Sequence, residues 1–265
     1  MAVAGQKRGM PGMGKIIAVA NQKGGVAKTT TAVNLGAGLA VLGKKVLLVD
    51  MDPQGNATSG LGIDKNQTQR CIYDALINDL PASGIIQETA VDNLSIIPAT
   101  IQLAGAEIEL VPMVAREMKL KRALLPIKSK FDHVIIDCPP SLGLLTLNAM
   151  SAADSLLIPI QCEFYALEGL GQLMNTIKLV RKHLNPMLNI EGVVLTMFDV
   201  RTNLSAQVAD EVREHFKSRV FNTVIARNVR LSEAPSYGQP IILYDPKSKG
   251  SENYMDLARE VVERG

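Results

Sequence analysis

Short, unbroken apolar runs alternate along this chain with longer stretches whose apolar positions recur at helical spacing. Lys15-Ile16-Ile17-Ala18-Val19-Ala20 and Lys45-Val46-Leu47-Leu48-Val49-Asp50 are of the first kind. Between them Ala32, Val33, Leu35, Gly36, Leu39 and Ala40 keep a helical period from Thr30 to Leu42, and Gly43-Lys44 supplies a stop. A strand covered by helices on both faces reads as a continuous apolar run, so strand, loop, helix and strand here make a βαβ unit of a parallel sheet. Further strands are expected at 94–98, 131–137, 155–160 and 190–198. Helices are expected over 70–77, over 102–127 with a break near Pro112, over 167–183, 204–217 and 251–264. The stretch 220–228 closes the series, and 59–93 is otherwise uninformative. The fold class is α/β, a mostly parallel twisted sheet with helices on both faces.

At 265 residues and 47% hydrophobic content the chain can bury a large core. The expected organisation is one domain over 13–265, preceded by a flexible tail or extended start over 1–12. A net charge of +2 is too small for a globally basic nucleic-acid binder, so any such binding must come from a local patch. Five Phe, five Tyr and no Trp argue against a stacking platform for single strands. Cys71, Cys138 and Cys162 match no zinc or iron–sulfur spacing and read as reduced core thiols, which points to the cytosol. No apolar run approaches a transmembrane length, and the N-terminus lacks the hydrophobic core of a signal peptide.

The chemistry begins after the first strand, at Asn21-Gln22-Lys23-Gly24-Gly25-Val26-Ala27-Lys28-Thr29-Thr30. Glycines let a backbone curl so that successive N–H groups point inward, and a helix starting at Thr29 or Thr30 adds the positive end of its dipole. Lys28 supplies a point charge for the β- and γ-phosphates, and the Thr29 hydroxyl is placed to hold Mg²⁺. The pattern G-x-x-x-x-G-K-[ST] is not met, because Gln22 and Ala27 stand where it wants glycine. If position 27 requires positive φ, alanine there costs on the order of 1 kcal/mol; if φ is negative, the methyl is harmless. The second strand delivers Asp50-Met51-Asp52-Pro53-Gln54-Gly55-Asn56 to the C-terminal edge of the sheet, where open α/β sheets bind ligands. A carboxylate there either holds Mg²⁺ through water, orients an attacking water, or forms an Asx turn. Phe131 to Asp137 is an apolar strand ending in Asp, the arrangement that brings a carboxylate to Mg²⁺ opposite the loop threonine. His133 on that strand reads as a packed residue rather than a ligand.

Lys23-Gly24-Gly25-Val26-Ala27-Lys28-Thr29-Thr30 resembles the deviant Walker A box, usually K-G-G-x-G-K-T-T, of the ParA/MinD family of P-loop ATPases, with Ala27 as the departure. Asp50 to Asn56 resembles the family's D-x-D-P-Q-G-N box, and Asp137-Cys138-Pro139-Pro140 its D-x-P-P switch. Arg230-Leu231-Ser232-Glu233-Ala234-Pro235-Ser236-Tyr237-Gly238-Gln239-Pro240 resembles the chromosomal ParA (Soj) subgroup. The resemblance spans about 13–262. It implies ATP held by residues 23–30, with Pro235 near the adenine, and Mg²⁺ held by Thr29, Asp52 and Asp137. It further implies a nucleotide-sandwich homodimer in which Lys23 reaches the partner's phosphates, Asp52 as the residue orienting the catalytic water, and Asp50 as more structural.

Between 201 and 250, eight basic residues face five acidic ones, and the excess of three is larger than the charge of the whole chain. As unassigned surface charge this has an ordinary reading. The resemblance implies that Arg201 and Arg230 contact nonspecific duplex DNA, with a ParB-type activator as partner in chromosome or plasmid partition. MinD-like relatives end in a basic membrane helix; here Glu252, Asp256, Glu260 and Glu263 outnumber Arg259 and Arg264, so the expectation is a helix packed on its own sheet and no membrane contact. The alternatives are a MinD-like membrane-associated ATPase and an ATP-dependent amide-forming synthase on the same scaffold.

Overall fold

The computed structural model describes residues 14–163 and 170–264. The expected tail over 1–12, Met13, the first residues of the helix expected at 167, and Gly265 lie outside the described residues. In chain order the strands and helices are β1 (Lys15–Val19), α1 (Lys28–Val41), β2 (Val46–Asp50), α2 (Asn56–Gly60), α3 (Ile72–Ile77), β3 (Gln87–Glu88), β4 (Leu94–Ile97), α4 (Leu103–Glu109), α5 (Lys119–Leu124), β5 (His133–Asp137), α6 (Leu144–Ala152), β6 (Ser155–Gln161), α7 (Leu170–His183), β7 (Asn189–Phe198), α8 (Asn203–Phe216), β8 (Val220–Ala226), α9 (Val229–Glu233), α10 (Ile241–Tyr244) and α11 (Lys249–Arg264).

The strands form one sheet in the order β3-β4-β2-β5-β1-β6-β7-β8. Every pairing is parallel except β3 with β4, where a two-residue strand closes the edge antiparallel. Alternate residues of a strand point to opposite faces, and both faces are apolar here. Ile16, Ala18, Leu47 and Val49 pack into the core beneath α3 to α8, while Ile17, Val19, Val46 and Leu48 pack into the core beneath α1 and α11. This two-sided burial is why β1 and β2 carry no polar alternation.

Several elements differ from the pattern-based expectation, the short helices α2, α9 and α10 among them. The helix expected over 102–127 is two short ones, because Pro112 cannot donate in a helix and Ala115 turns left-handed at φ 53°. Helix α6 carries no amphipathic stripe: Leu145, Thr146, Asn148, Ala149, Met150 and Ser151 are all buried, so its period is invisible in hydrophobicity. The strand β3 is too short to show any pattern. His133 is half-buried at the start of β5, where burial lowers its pKa and its Nδ1 has no hydrogen-bond partner.

The C-terminal helix occupies its apolar stripe within the molecule. Tyr254, Leu257, Ala258 and Val261 of α11 are buried in the core with α1. The Tyr254 hydroxyl lies 3.1 Å from that of Thr31, and the Glu260 carboxylate accepts the backbone N–H of Asn222 and Thr223 at 2.8 and 3.0 Å. No helix among the described residues is long and apolar enough to cross a membrane.

Candidate functional site

The loop leaves β1 at the centre of the sheet and is fixed from both sides. Asn21 is buried; its amide donates to the Pro159 carbonyl of β6 at 2.7 Å, and its Oδ1 accepts the backbone N–H of Lys23 at 3.0 Å. Gly24 and Gly25 are exposed and Gly25 adopts φ 74°, a value that asks for glycine. Lys23 is half-exposed beside them. Val26 is buried beneath the loop. Ala27 sits at φ 65°, ψ 34° as the N-cap of α1, so the condition that makes its methyl costly is met. Ala27→Gly is expected to raise the unfolding free energy by about 1 kcal/mol, or a few degrees in Tm, as read by thermal denaturation.

Helix α1 starts at Lys28, one residue earlier than the motif suggests. The Lys28 ammonium is buried and donates to the Lys23 carbonyl at 2.8 Å, so it is folded back across the loop. Burial lowers its pKa, while Asp137, Cys138 and Asp52 oppose that shift. Thr29 and Thr30 follow, half-exposed, on the first turn.

The two carboxylates at the end of β2 play different parts. Asp50 is buried and saturated: it accepts the Thr58 N–H at 2.9 Å, the Thr58 hydroxyl at 2.7 Å and the Asp52 N–H at 3.1 Å. Burial pushes its carboxyl up to about 6 despite these bonds. Thr58 in turn accepts the Ala99 N–H, so Asp50 knits the ends of β2 and β4 to α2. Asp52 accepts only the Gln54 N–H, at 2.9 Å, and lines the cleft over the loop. This is the difference between a structural carboxylate and an available one.

Asp137 ends β5, in register with Val19 on one side and Asp50 on the other. Both of its carboxylate oxygens are buried without a hydrogen-bond partner. Burial, then the nearby Asp50, hold its pKa well above the carboxylate range; Thr29 and Lys28 pull the other way. A buried carboxylate lacking a partner beside a threonine hydroxyl fits a divalent cation, which would supply the missing charge. Between the ordinary carboxylate pKa and the raised one, the folded protein binds more protons than the unfolded chain, so nucleotide-free stability falls as pH rises through that window. Asp137→Asn is expected to flatten this fall and to raise Tm at neutral pH in the absence of nucleotide, measured by pH-dependent thermal melts.

Three recesses meet around the N-terminus of α1. A cleft of about 380 Å³ is bounded by Gly24, Gly25, Ala27, Lys28, Thr29 and Asp52. A second, of about 460 Å³, shares Ala27 and Thr30 with it and runs to Asn228 and Pro235. A third, of about 260 Å³, continues past Thr29 and Asn56 to Pro235 and Gln239. A compartment carrying the charges of Lys28 and Asp52 thus adjoins a deeper one reaching Pro235, a shape that can take a triphosphate and a base. A larger open groove of about 530 Å³ lies away from the loop between residues 62–70 and 84–87, with Asp64 and Arg70 as its only charged walls.

The two arginines marked for DNA are on the surface but already paired. Arg201, 81% exposed between β7 and α8, donates to both oxygens of Asp199 at 2.9 and 2.7 Å. Arg230 on α9 donates to Glu233 at 2.9 Å and lies 3.5 Å from Asp245. A phosphate must displace or share with these carboxylates. The three cysteines are buried and free, with the thiols of Cys138 and Cys162 pushed up by burial. Sequence motifs gave no sign of Thr196 or Met197, which hold or line the site from β7, and gave no role to Asn21 at the head of the loop or to Thr58 just past the second carboxylate stretch.

A family described as an AAA domain matches residues 14–190. The sporulation initiation inhibitor protein Soj of Bacillus subtilis is 66% identical over 96% of this chain and the whole of that protein. The chain belongs to the ParA/MinD family of P-loop ATPases, in its Soj subgroup. The chromosome partitioning protein ParA of Myxococcus xanthus is 57% identical, covering 97% of this chain and 91% of that one. Among solved structures, one of Mycobacterium smegmatis named cobyrinic acid a,c-diamide synthase, with bound ADP and magnesium, is 40% identical and superposes with a TM-score of 0.84 over 95% of each chain. Against the family's usual box, the Soj-type sequence here keeps both lysines, Lys23 and Lys28, and departs at Ala27.

Proposed function

We propose that this protein is an ATP-dependent, dimerising partition ATPase that binds duplex DNA without sequence preference and is discharged by a ParB-type partner. The observation that carries the reading is the convergence at one sheet edge of Lys28, Thr29, the available carboxylate Asp52 and the unpartnered carboxylate Asp137. ATP occupies the three recesses, its phosphates over residues 23–30 and its base towards Pro235. Thr29, Asp52 and Asp137 would hold Mg²⁺, which when bound neutralises charge developing on the phosphates. Lys28 leaves the Lys23 carbonyl for the β- and γ-phosphates, and its charge is screened less than a surface lysine's because its side chain is buried.

Lys23, half-exposed, is free to serve a second subunit closing face to face. Asp52 orients the water that attacks the γ-phosphate, giving ADP and phosphate. The closed dimer doubles the Arg201 and Arg230 patches, which raises avidity for DNA, and opening after hydrolysis releases it. The place of action is the cytoplasm, on the nucleoid. The buried apolar stripe of α11 speaks against the MinD-like membrane alternative.

The synthase reading is kept alive by the name of three solved structures that are 39–40% identical. Identity of 66% to a Soj protein over its full length favours the partition reading. Steady-state phosphate release distinguishes them. Stimulation by a ParB-type protein together with duplex DNA supports partition, whereas turnover that requires a carboxylic acid acceptor and a nitrogen donor would transfer the chain to the synthases.

A further inference from the structure

The loop is tied to a strand far from it in sequence. Thr196, near the end of β7, is fully buried, and its Oγ1 donates to the carbonyl oxygen of Val26 at 3.2 Å, across 170 positions of chain. The donor itself is well anchored: Thr196 pairs with Gln161 of β6, and its carbonyl accepts the Cys162 N–H at 3.1 Å.

In a trans peptide the carbonyl and the following N–H point in opposite directions. Holding the Val26 carbonyl against β7 therefore fixes the direction of the Ala27 N–H, turned away from the strand. On its other side Ala27 is held through its own carbonyl, which accepts the Thr31 N–H at 2.9 Å. A residue with a Cβ stays left-handed only where its surroundings over-determine it, and here they do so from both sides. Met197, next to the donor, also has positive φ, 51°, and lines both the loop cleft and the deeper recess beside Ala27. The pairing of β7 with β8 shifts register there, between Leu195 and Phe198. The irregular end of β7 is thus fitted to the loop.

We infer that Thr196 is a positioning residue for phosphate binding: its hydroxyl orients the Val26–Ala27 peptide so that an alanine can serve where glycine is otherwise needed. The inference rests on the reading of the loop as an ATP site. It predicts energetic coupling between Thr196 and Ala27.

The test is a double-mutant cycle on the affinity for a fluorescent ATP analogue with Mg²⁺, with Tm recorded for every variant. Thr196→Val, which keeps shape and loses the donor, is expected to weaken binding about tenfold, the scale of one buried hydrogen bond. Thr196→Ser is expected to stay within about threefold of the parent, because the hydroxyl is retained. In the Ala27→Gly background the Thr196→Val penalty is expected to shrink to about twofold, since glycine needs no clamp. If Thr196→Val is too unstable to purify, Thr196→Ala carries the same comparison. Unchanged affinity in Thr196→Val, or an equal loss with and without Ala27→Gly, overturns the inference, and a lowered Tm with unchanged affinity does so too. Lys28→Ala in parallel separates the two levels: if that variant binds normally, the ATP-site reading has failed rather than the role of Thr196.

Discussion

Lys28→Ala is expected to reduce ATP affinity by at least about a hundredfold and to abolish measurable turnover, read by isothermal titration with ATP and Mg²⁺ and by phosphate release. The reason lies in where the ammonium is. It is buried, its charge is opposed by little solvent, and its one hydrogen bond is to the Lys23 carbonyl, which a phosphate can replace without breaking an ion pair. Its removal also takes away a cation that acts on Asp137, whose carboxyl pKa is already raised by burial. Losing that cation pushes the pKa of the carboxyl further in the same direction. A Lys28→Ala protein that still hydrolyses ATP at the parental rate would remove the loop from the mechanism.

Asp52→Ala is expected to lower hydrolysis by roughly a hundred- to a thousandfold while leaving ATP binding within about tenfold, measured by single-turnover phosphate release and titration. Its carboxylate accepts one backbone N–H, from Gln54, so the fold loses no more than about 1 kcal/mol. Asp50→Ala provides the contrast. It strands the Thr58 N–H, the Thr58 hydroxyl and the Asp52 N–H in a buried setting, and should cost about 2–3 kcal/mol of stability. Two aspartates separated by one residue are thus expected to divide into a chemical and a structural role, with a rate defect in one variant and a Tm defect in the other.

The same pair shows what a sequence can and cannot disclose. Strands β1, β2 and β5 were legible because burial on both faces demands unbroken apolar runs, and the glycine-containing loop after β1 and the aspartates ending β2 and β5 mark the edge where ligands bind. That Asp50 is saturated and Asp137 is not depends on Thr58 and Ala99, which no local pattern connects to them. Helix α6 was hidden because it is buried nearly all round. The conformation of Ala27 was posed as a question by the sequence and answered only by the backbone, since φ is set by Thr196 and the start of α1 rather than by the alanine. Arg201 and Arg230 were legible as surface cations, but their engagement was not: Arg230 meets Glu233 at i,i+3 on α9, a helix the pattern did not announce, while the Asp199 and Asp245 contacts depend on chain turns outside any periodic segment.

The central claim is that ATP gates DNA binding, and the anisotropy of a labelled duplex of arbitrary sequence tests it most directly. The Asp52→Ala protein, slow to hydrolyse, is titrated in ATP, in ADP and without nucleotide, each at low and raised salt. Binding in ATP alone, weakened steeply by salt and lost on further Arg230→Ala substitution, is the predicted result. Equal binding in all three nucleotide states, or none in ATP when titration shows the site to be filled, would contradict it.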